Sequence, residues 1–433
     1  MESDALSPEL VLRQLEDSTG ILVAYSGGLD SRVLLELVVQ AGDRLPGPLR
    51  ALHVDHGLHP HSADWVRHCV SVCESLDVPL LVERVTVESG PSPEAMARDA
   101  RYRAFARHLR TGEALLTAHH RDDQAETVLL RLMRGGGVYG LRAMPSQRPF
   151  ARGRLCRPLL DVPRSTLHAW AGARRLDWID DPSNRETAAD RNHIRHAVMP
   201  ALEQRWPGAA RRLARVAADA DEAGRLLDTL ADLDGAPDGP RLHRGRLDAL
   251  DRARRCNVLR RWIRSRDQRP PDRRRLIAGL QMLLGAAPDR QPQLIWAGGR
   301  LRRYRDWLYL DDGIDPEPPV QPLPWSASGS LELDCGRLLV RETRGGLARE
   351  SMRADDLRLV FGRPGARCRP TGRPGKRVKE LFQEAGVPPW QRPGWPLLMA
   401  GDTVVAVPGI CVCEGHAAAP GEPGLELIWE PRG

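Results

Sequence analysis

The chain has 433 residues, of which 41% are hydrophobic and 28% charged, and its formal net charge is +7. This length exceeds what one ordinary core holds, so we expect two or three domains, and the composition excludes a disordered chain. No apolar run is long enough for a membrane span, since the run from Val33 ends at Gln40. The excess of basic residues weakly favours a polyanionic partner.

The start of the chain carries acidic residues where a secretory signal would carry basic ones, so we expect a cytoplasmic protein. Eight cysteines are scattered without a C-x-x-C pair or zinc-ribbon spacing, and we expect reduced thiols rather than a metal or redox site. Four histidines, His53, His56, His59 and His61, lack a matching Cys or carboxylate pattern, so we predict no metal site there.

Up to about Gly135, apolar runs alternate with segments of helical periodicity. The predicted strands are GILVAYS, PLRALHVDHG, PLLVERVTV and EALLTAHH. The predicted helices between them are SRVLLELVVQAG, SADWVRHCVSVCESL and SPEAMARDARYRAFARHL. Strands that alternate with helices predict an α/β domain whose Rossmann-like parallel sheet is covered on both faces.

The remaining chain predicts two further domains. Residues 207–310 are rich in Arg, Ala and Leu with helical periodicity and predict a small helical domain. Residues 311–328 are rich in proline and predict a stiff, extended linker. Residues 329–433 contain hairpin patterns around a short helix in GKRVKELFQEAG and predict a small α+β domain. With the α/β domain at residues 1–206, we expect three domains.

The segment ILVAYSGGLDSRVLLELV carries the strongest functional pattern. A predicted strand runs into Ser26-Gly27-Gly28-Leu29-Asp30-Ser31 and then directly into a predicted helix. Glycines let the backbone approach a ligand closely, and the free N–H groups at the helix start favour an anion. The lysine-containing P-loop and the G-x-G-x-x-G fingerprint are both absent from this segment. A carboxylate beside a bound anion would repel it unless a cation lies between them, so we predict that Asp30 holds Mg²⁺; a role in the helix dipole alone is the alternative.

The pattern S-G-G-x-D-S after a first strand resembles the PP-loop of the N-type ATP pyrophosphatases, which implies ATP binding and cleavage between its α- and β-phosphates. Three further stretches, HVDHGLHPHSADW, AHHRDDQAETVLLRLMRGGG and DWIDDPSNRETAADRNHIRHAVMPAL, closely resemble the tRNA(Ile)-lysidine synthetase family. The tail GRPGKRVKELFQEAGVPPWQRPGWPLLMAGDTVVAVPGI resembles the C-terminal module of that family. The resemblance covers most of residues 20–205 and 360–412.

This resemblance implies a ligase that acts on tRNA(Ile) with a CAU anticodon. The 2-carbonyl oxygen of the wobble cytidine would attack the α-phosphate of ATP and release pyrophosphate. The ε-amine of free L-lysine would then displace AMP and give lysidine. Adenylation is needed because an amide-like oxygen is otherwise a poor leaving group. The oligomeric state does not follow from the sequence, and a homodimer is one expectation.

Three acids lie at the predicted start of the helix after the fourth strand: Asp122, Asp123 and Glu126. Acidic residues at a helix start often serve only the helix dipole. The family resemblance implies that Asp123 and Glu126 serve the active site. They would either recognise the lysine ammonium or accept a proton from an amine whose pKa is about 10.4. The sequence does not separate these two roles.

Basic and amide side chains complete the predicted site. Asn184 and Arg195 match active-site positions of the family, and Arg191 lies four residues before Arg195, hence on the same helical face. A guanidinium there suits the α-phosphate or a tRNA phosphate; a solvated basic face is the alternative. Arg98 and Arg101 belong to a pattern that borders the tRNA in the family, with a charged outer helix face as the alternative.

Lysine occurs at only two positions, Lys376 and Lys379. They are three residues apart in a predicted helix, so we expect both on one side of it. Basic residues at a helix start oppose the helix dipole unless an anion lies nearby. We therefore predict that both lysines contact the tRNA backbone, with a solvated helix start as the alternative.

Other functions remain compatible with a PP-loop. A tRNA thiolase would need a reactive cysteine, often in C-x-x-C, and a ligase that uses ammonia would usually carry a glutaminase domain; the sequence has neither pattern. A non-catalytic tRNA-binding protein could keep a relic loop. The intact S-G-G-L-D-S and D-D-Q-A-E-T sequences argue against that reading.

Overall fold

The computed structural model describes residues 6–57, 60–86, 93–182, 190–287, 290–325, 329–353, 357–363 and 365–432. The chain divides into two compact units, Met1–Leu227 and Asp228–Gly433. Within the described ranges, no helix has the length and apolar character that crossing a membrane requires.

The first unit is built on a six-stranded sheet. Its strands are β1 (Ile21–Ala24), β2 (Leu49–Asp55), β3 (Leu80–Arg84), β4 (Ala114–Leu116), β5 (Gln147–Phe150) and β6 (Gly153–Cys156), in the order β3-β2-β1-β4-β6-β5. Neighbouring strands pair in parallel except β5, which pairs antiparallel with β6 at one edge. The predicted parallel α/β fold is confirmed, and the four predicted strands correspond to β1–β4.

Helices cover both faces of this sheet. They are α1 (Glu9–Leu12), α2 (Leu29–Ala41), α3 (Ser62–Ser75), α4 (Pro93–His108), α5 (Arg121–Met133), α6 (Val138–Leu141), α7 (Arg164–Ala173), α8 (Asp190–His193) and α9 (Met199–Arg205), with a π-helical segment at Ile194–Val198. Along β1, Ile21 and Val23 join a core cluster with residues of α2, α3 and α7, whereas Leu22 joins Phe105 of α4 on the other face. This alternation is the one expected for a strand buried on both sides.

Residues 209–311 combine helices with a sheet that the sequence did not indicate. The helices are α10 (Ala209–Leu233), α11 (Gly245–Asp248), α12 (Arg252–Ser265) and α13 (Arg273–Gly285). The strands are β7 (Arg241–His243), β8 (Gln293–Trp296), β9 (Gly299–Tyr304) and β10 (Trp307–Asp311), in the antiparallel order β7-β10-β9-β8. One face, with Leu301 and Leu308, packs with Trp262 of α12. The prediction of a helical domain was therefore incomplete, because the arginines of GRLRRY hid the alternating pattern of β9.

The C-terminal part is mainly antiparallel sheet. Its strands are β11 (Leu323–Pro324), β12 (Leu331–Leu333), β13 (Gly336–Arg344), β14 (Leu347–Ala348), β15 (Leu357–Val360), β16 (Arg367–Cys368), β17 (Lys376–Arg377), β18 (Leu397–Ala400), β19 (Thr403–Val407), β20 (Cys411–Val412) and β21 (Pro423–Pro431). They form a five-stranded sheet, a four-stranded sheet and the β16–β17 pair, with one short helix, α14 (Val378–Glu384). The predicted α+β character is confirmed.

Two expectations about this part are wrong. Cys368 and Cys413 form a disulfide, so not all eight cysteines are free thiols; residues 370 and 413 pair as an isolated bridge, which brings the two segments together. Lys376 and Lys379 do not share a helix, because α14 begins at Val378 and Lys376 belongs to β17. The side chain of Lys376 forms an ion pair with Glu384.

Candidate active site

The loop between β1 and α2 is closed by its two serines. The Ser31 hydroxyl donates to the Gly28 carbonyl at 2.9 Å and accepts from the Ser26 backbone N–H at 3.2 Å. The two hydroxyl oxygens lie 3.0 Å apart. Gly28 is the N-cap of α2 and no side chain caps it, so the N–H groups at the start of that helix face the loop opening. Such a helix start favours an anionic ligand.

A second segment is attached to this loop by the backbone. The Ile179 N–H donates to the Gly27 carbonyl at 2.9 Å, and Gly28 and Ile179 form a parallel bridge. Gly27 has φ of +83°, and a Cβ there would lie 2.9 Å from the Cys69 sulfur and closer still to the Ile179 side chain. Only glycine therefore meets both the conformational and the steric requirement. The segment that precedes position 184 is thus attached to the loop at Ile179.

Asp30 lies in the first turn of α2 and faces His120. The distance between Asp30 Oδ2 and His120 Nε2 is 3.6 Å, and Arg164 Nε lies 3.8 Å from Asp30 Oδ1. Asp30 Oδ1 is buried and has no hydrogen-bond partner. Across the described part of the chain, no group of three or more His, Cys, Asp or Glu is arranged to hold a metal ion. Asp30 therefore offers one carboxylate oxygen that accepts no hydrogen bond, and the described residues around it do not form a complete metal site.

His120 connects the loop with α5. Its side chain is 2% exposed and caps α5, since Nδ1 accepts from the Asp123 N–H and the Asp123 carboxylate accepts from the His120 N–H. Burial alone would lower the pKa of this imidazole, but the carboxylates of Asp30, Asp123 and Asp122 raise it above its usual value. His120, whose Nδ1 serves as an acceptor and whose Nε2 lies 3.6 Å from Asp30 Oδ2 and 3.4 Å from Asp123 Oδ2, thus connects the loop with the acids of α5.

Asp123 and Glu126 bind two arginines from the following helical segment. Arg191 donates to Glu126 and to Asp123, each at 2.9 Å. Arg195 donates to Glu126 Oε1 at 2.6 Å and to Asp123 Oδ1 at 3.0 Å. These four residues, Asp123, Glu126, Arg191 and Arg195, are called the site cluster. The two acids are about one helical turn apart, and so are the two arginines, so each pair lies on one face of its helical segment.

The charges of the site cluster stabilise one another. Burial alone would raise the pKa of Asp123, but His120 and both arginines hold it well below its usual value. Burial alone would lower the pKa values of Arg191 and Arg195, and the carboxylates of Asp123 and Glu126 reverse that effect. Each of the two acids is thus paired with guanidinium groups in this arrangement.

The other predicted residues lie at different places. Asn184 falls outside the described residues. Arg101, on α4, donates to His56 Nε2 at 3.3 Å, and the guanidinium carbon of Arg98 lies 5.2 Å from the Tyr102 ring centroid. Lys379 belongs to α14 in the second unit.

The sequence interpretation missed His120, Arg164 and Ile179 as parts of the site. His120 could have been found, because it directly precedes the acids of α5. The packing of α7 beside the loop reveals Arg164, and the backbone bridge to Gly28 reveals Ile179. A cleft of about 440 Å³ opens next to the loop and is lined by Leu29, Arg164, Ser165, His168, Trp178 and Asp180.

Comparison with known proteins agrees with this geometry. A model of the PP-loop domain matches residues 6–202, a model of the TilS substrate binding domain matches residues 242–309, and a model of the TilS substrate C-terminal domain matches residues 357–429. The first of these contains the loop and the site cluster.

Full-length relatives extend the match to the whole chain. The tRNA(Ile)-lysidine synthase of Alkalilimnicola ehrlichii is 45% identical, covering 99% of this chain and 98% of the relative. The enzyme of the same name from Salmonella typhimurium is 42% identical over 96% and 97% of the two chains. That of Coxiella burnetii is 38% identical over 98% and 97%. The chain therefore belongs to the tRNA(Ile)-lysidine synthase family.

Proposed function

We propose that this chain ligates L-lysine to the 2-position of the wobble cytidine of tRNA(Ile) with a CAU anticodon. ATP adenylates the cytidine oxygen, and lysine then displaces AMP, so the products are lysidine, AMP and pyrophosphate. The observation that carries the proposal is the continuous row from the serine-closed loop through Asp30 and His120 to the site cluster. It supplies an anion-binding loop and two fixed guanidiniums at one edge of the sheet. Membership of the family supports the same reaction.

The loop would bind the phosphates of ATP through the N–H groups at the start of α2. Mg²⁺ fits beside it, because the buried Asp30 Oδ1 has no hydrogen bond and carboxylate oxygen is a preferred Mg²⁺ ligand. Bound there, Mg²⁺ would neutralise charge on the phosphate oxygens. A single protein carboxylate is enough when substrate phosphates supply the other ligands.

Arg191 and Arg195 would stabilise the charge that develops on the α-phosphate during adenylation. A preorganised donor stabilises a transition state best when it does not move during the reaction. Asp123 and Glu126 provide that rigidity, since each accepts from both arginines. In this proposal the two carboxylates are positioning residues that act through the guanidiniums. Asn184 belongs to the site by its family position.

Lysine and tRNA are the two further substrates that the reaction needs. The cleft beside Leu29 opens next to the loop, where an incoming amine must arrive. Arg98, Arg101, Lys376 and Lys379 are proposed to contact tRNA phosphates. We also expect a cytoplasmic protein and a homodimer; sedimentation analysis checks the second expectation.

One incubation tests the reaction itself. The protein, Mg²⁺-ATP, isotopically labelled lysine and tRNA transcripts are combined, and the nucleosides are analysed by mass. Label in a modified cytidine of tRNA(Ile), and none in tRNA(Met), is the expected result. Sulfur in place of lysine would assign the chain to thiolation, and pyrophosphate release without any modified nucleoside would refute the ligation.

Asp30→Ala tests the metal assignment. We expect pyrophosphate release to fall by at least about 100-fold, because the phosphates lose their counter-charge, while tRNA affinity stays nearly unchanged. Asp43→Ala is the matched control, since Asp43 is exposed just beyond the other end of α2. Pyrophosphate release and filter binding of tRNA are measured separately. Near-normal release by Asp30→Ala would remove this residue from the chemistry.

A further inference from the structure

Three arginines of the first unit converge on one aromatic group. Arg98 comes from α4, Arg148 from β5, and Arg157 directly follows β6. The guanidinium carbons of Arg98 and Arg148 lie 5.2 and 6.0 Å from the Tyr102 ring centroid, and that of Arg148 lies 5.1 Å from the Phe150 centroid. Arg98, Arg148 and Arg157 are called the arginine cluster.

The arginine cluster has no carboxylate partner within the described part of the chain, in contrast to the buried Arg32, Arg300 and Arg302, which pair with Glu36 or Asp311. None of its three guanidiniums forms an ion pair with any carboxylate among the described residues. Arg157 is 3% exposed; its Nη1 donates to the Pro145 carbonyl at 2.6 Å, but its Nε is buried without a hydrogen bond. A buried guanidinium needs a charge partner or a full set of acceptors. The buried Arg303 has four backbone carbonyl acceptors, whereas the Arg157 side chain has one, which leaves its remaining donors available to an anion.

The surroundings of the arginine cluster add no negative charge. Burial lowers the pKa of Arg157, and the neighbouring Arg148 and Arg98 add to that effect, although the adjacent Tyr102 side chain opposes it. Burial, with the positive fields of Arg157, Arg191 and Arg98, lowers the pKa of His119 to about 3, although Asp123 opposes this effect. His119 is therefore neutral at pH 7 and does not repel an anion. The buried hydroxyl of Tyr102 lies beside the Arg157 guanidinium and could donate to an anion bound there.

We propose that the arginine cluster binds a backbone phosphate of the tRNA next to the reacting cytidine. This inference rests on the proposed function and goes beyond it by assigning Arg148 and Arg157, which no motif singled out, to one phosphate site together with Arg98. Guanidinium groups are suited to phosphate because their planar donors match its oxygens. Phosphate contacts of this kind position a nucleic acid without reading its sequence.

The place of the cluster in the sheet favours a tRNA phosphate over a phosphate of ATP. The loop follows β1 and Arg157 follows β6, and β4 lies between these strands. Two strand spacings separate β1 from β6 by about 10 Å. At that distance a phosphate of ATP bound by the loop does not reach the arginine cluster, whereas a backbone phosphate of the nucleotide that reacts at the loop can. Base stacking is a poorer fit, because Phe105, Phe150 and two guanidiniums already surround the Tyr102 ring.

Arg148→Gln and Arg98→Gln test the proposal in the full-length protein. Filter binding of a tRNA(Ile) transcript is measured over a salt series. For each variant we expect affinity to fall several-fold and the slope of log affinity against log salt to become shallower by about 0.7–0.9, as for one lost phosphate contact. Arg152→Gln is the matched control: it removes an exposed charge from the turn between β5 and β6, and its affinity and slope should equal those of the original protein.

A second arm separates the two sources of phosphate. Inhibition by added pyrophosphate and the KM for ATP should be unchanged in both variants; a weakened pyrophosphate effect would move the cluster to the leaving group and overturn the tRNA assignment. Unchanged affinity and slope would also overturn it.

Arg148→Lys, which keeps the charge, should recover most of the salt slope. Failure to recover the slope, while circular dichroism shows a native fold, would contradict an ionic contact. Because the readout is binding, it remains valid even if no lysidine forms.

Discussion

Two clusters in this protein have the same composition, two arginines and two carboxylates, but differ in which partner is exposed; Asp311 of the second cluster is buried with its arginines, and only Asp315 reaches the surface. In the site cluster the acids are innermost: the Glu126 side chain is 2% exposed and that of Arg195 25% exposed. In the linker cluster, Arg300 and Arg302 of β9 bind Asp311 and Asp315 at the start of the proline-rich segment. There Arg300 is 7% exposed, whereas Asp315 is 61% exposed.

The two clusters differ in which side chain of the ion pair, the carboxylate or the guanidinium, is exposed to a ligand. In the site cluster the carboxylates are covered and the guanidiniums reach the surface, so the group presents positive charge held in a fixed position. In the linker cluster the guanidiniums are covered, and Trp390 lies over Arg302 with 4.3 Å from ring centroid to guanidinium carbon. Identical ion pairs can thus prepare a site for an anion or fasten a loop, and the depth of each partner decides between these roles.

The largest expected effect comes from matched Arg→Lys variants in the two clusters. Arg195→Lys should lower the rate of tRNA adenylation about 100- to 1000-fold, because lysine cannot reproduce the forked donors that bind Glu126 and face the phosphate. Arg302→Lys should leave that rate unchanged. Single-turnover pyrophosphate release measures both. Equal losses in the two variants would show that the contrast between the clusters has no functional meaning.

Glu126→Gln sharpens the contrast through stability. Removing one charge from a buried ionic group typically costs about 3–5 kcal/mol, so urea should unfold the first unit at a lower concentration. Formation of the adenylated tRNA should also slow, because both arginines lose a partner. Asp315→Asn, on the exposed side of the linker cluster, should change little, since solvent screens that contact. Normal adenylation with a raised lysine requirement would instead assign Glu126 to lysine recognition.

A third, exposed ion pair extends the comparison to the surface. Lys376 pairs with Glu384, and the remaining lysine, Lys379, lies within α14. Replacing both lysines by alanine should leave the melting temperature nearly unchanged and raise the tRNA requirement several-fold, with a shallower salt dependence. ATP and lysine use at saturating tRNA should not change. Filter binding across a salt series decides whether these lysines touch the nucleic acid; an unchanged slope would leave them as solvated charges.

The smallest effect concerns His119, which lies beside the site cluster. Its pKa is lowered to about 3 in the fold, against about 6.5 when unfolded. Between these values the unfolded chain binds the extra proton, so this residue destabilises the protein as pH falls below about 6.5. His119→Gln should therefore flatten the fall in stability between pH 6.5 and 4. Denaturation midpoints at several pH values measure it, and parallel curves for the two proteins would contradict the assignment.

The sequence was most informative where local pattern and chemistry coincide. The strand, the S-G-G-L-D-S loop and the helix after it are contiguous, so their order could be predicted. The pairing of Asp123 and Glu126 with Arg191 and Arg195 could not, because more than 60 residues separate the partners and each pair alone is compatible with a solvated helix face. The sheet of β7–β10 was missed for a different reason: Arg300 and Arg302 are buried by Asp311, which is 11 and 9 residues further along the chain, and Arg303 is buried by backbone carbonyls, so a run of arginines did not indicate a buried strand.

The attachment of Ile179 to the loop limits which mutations could compensate for a substitution of Gly27. Position 27 excludes a side chain for two independent reasons, its backbone conformation and its contacts with Ile179 and Cys69. A second-site change that trims Ile179 would remove only part of the steric conflict and leave the left-handed conformation as it is. Suppressors of Gly27 substitutions should therefore be absent at position 179. In a randomised library, the codon for residue 27 would return only glycine, whatever its neighbours become.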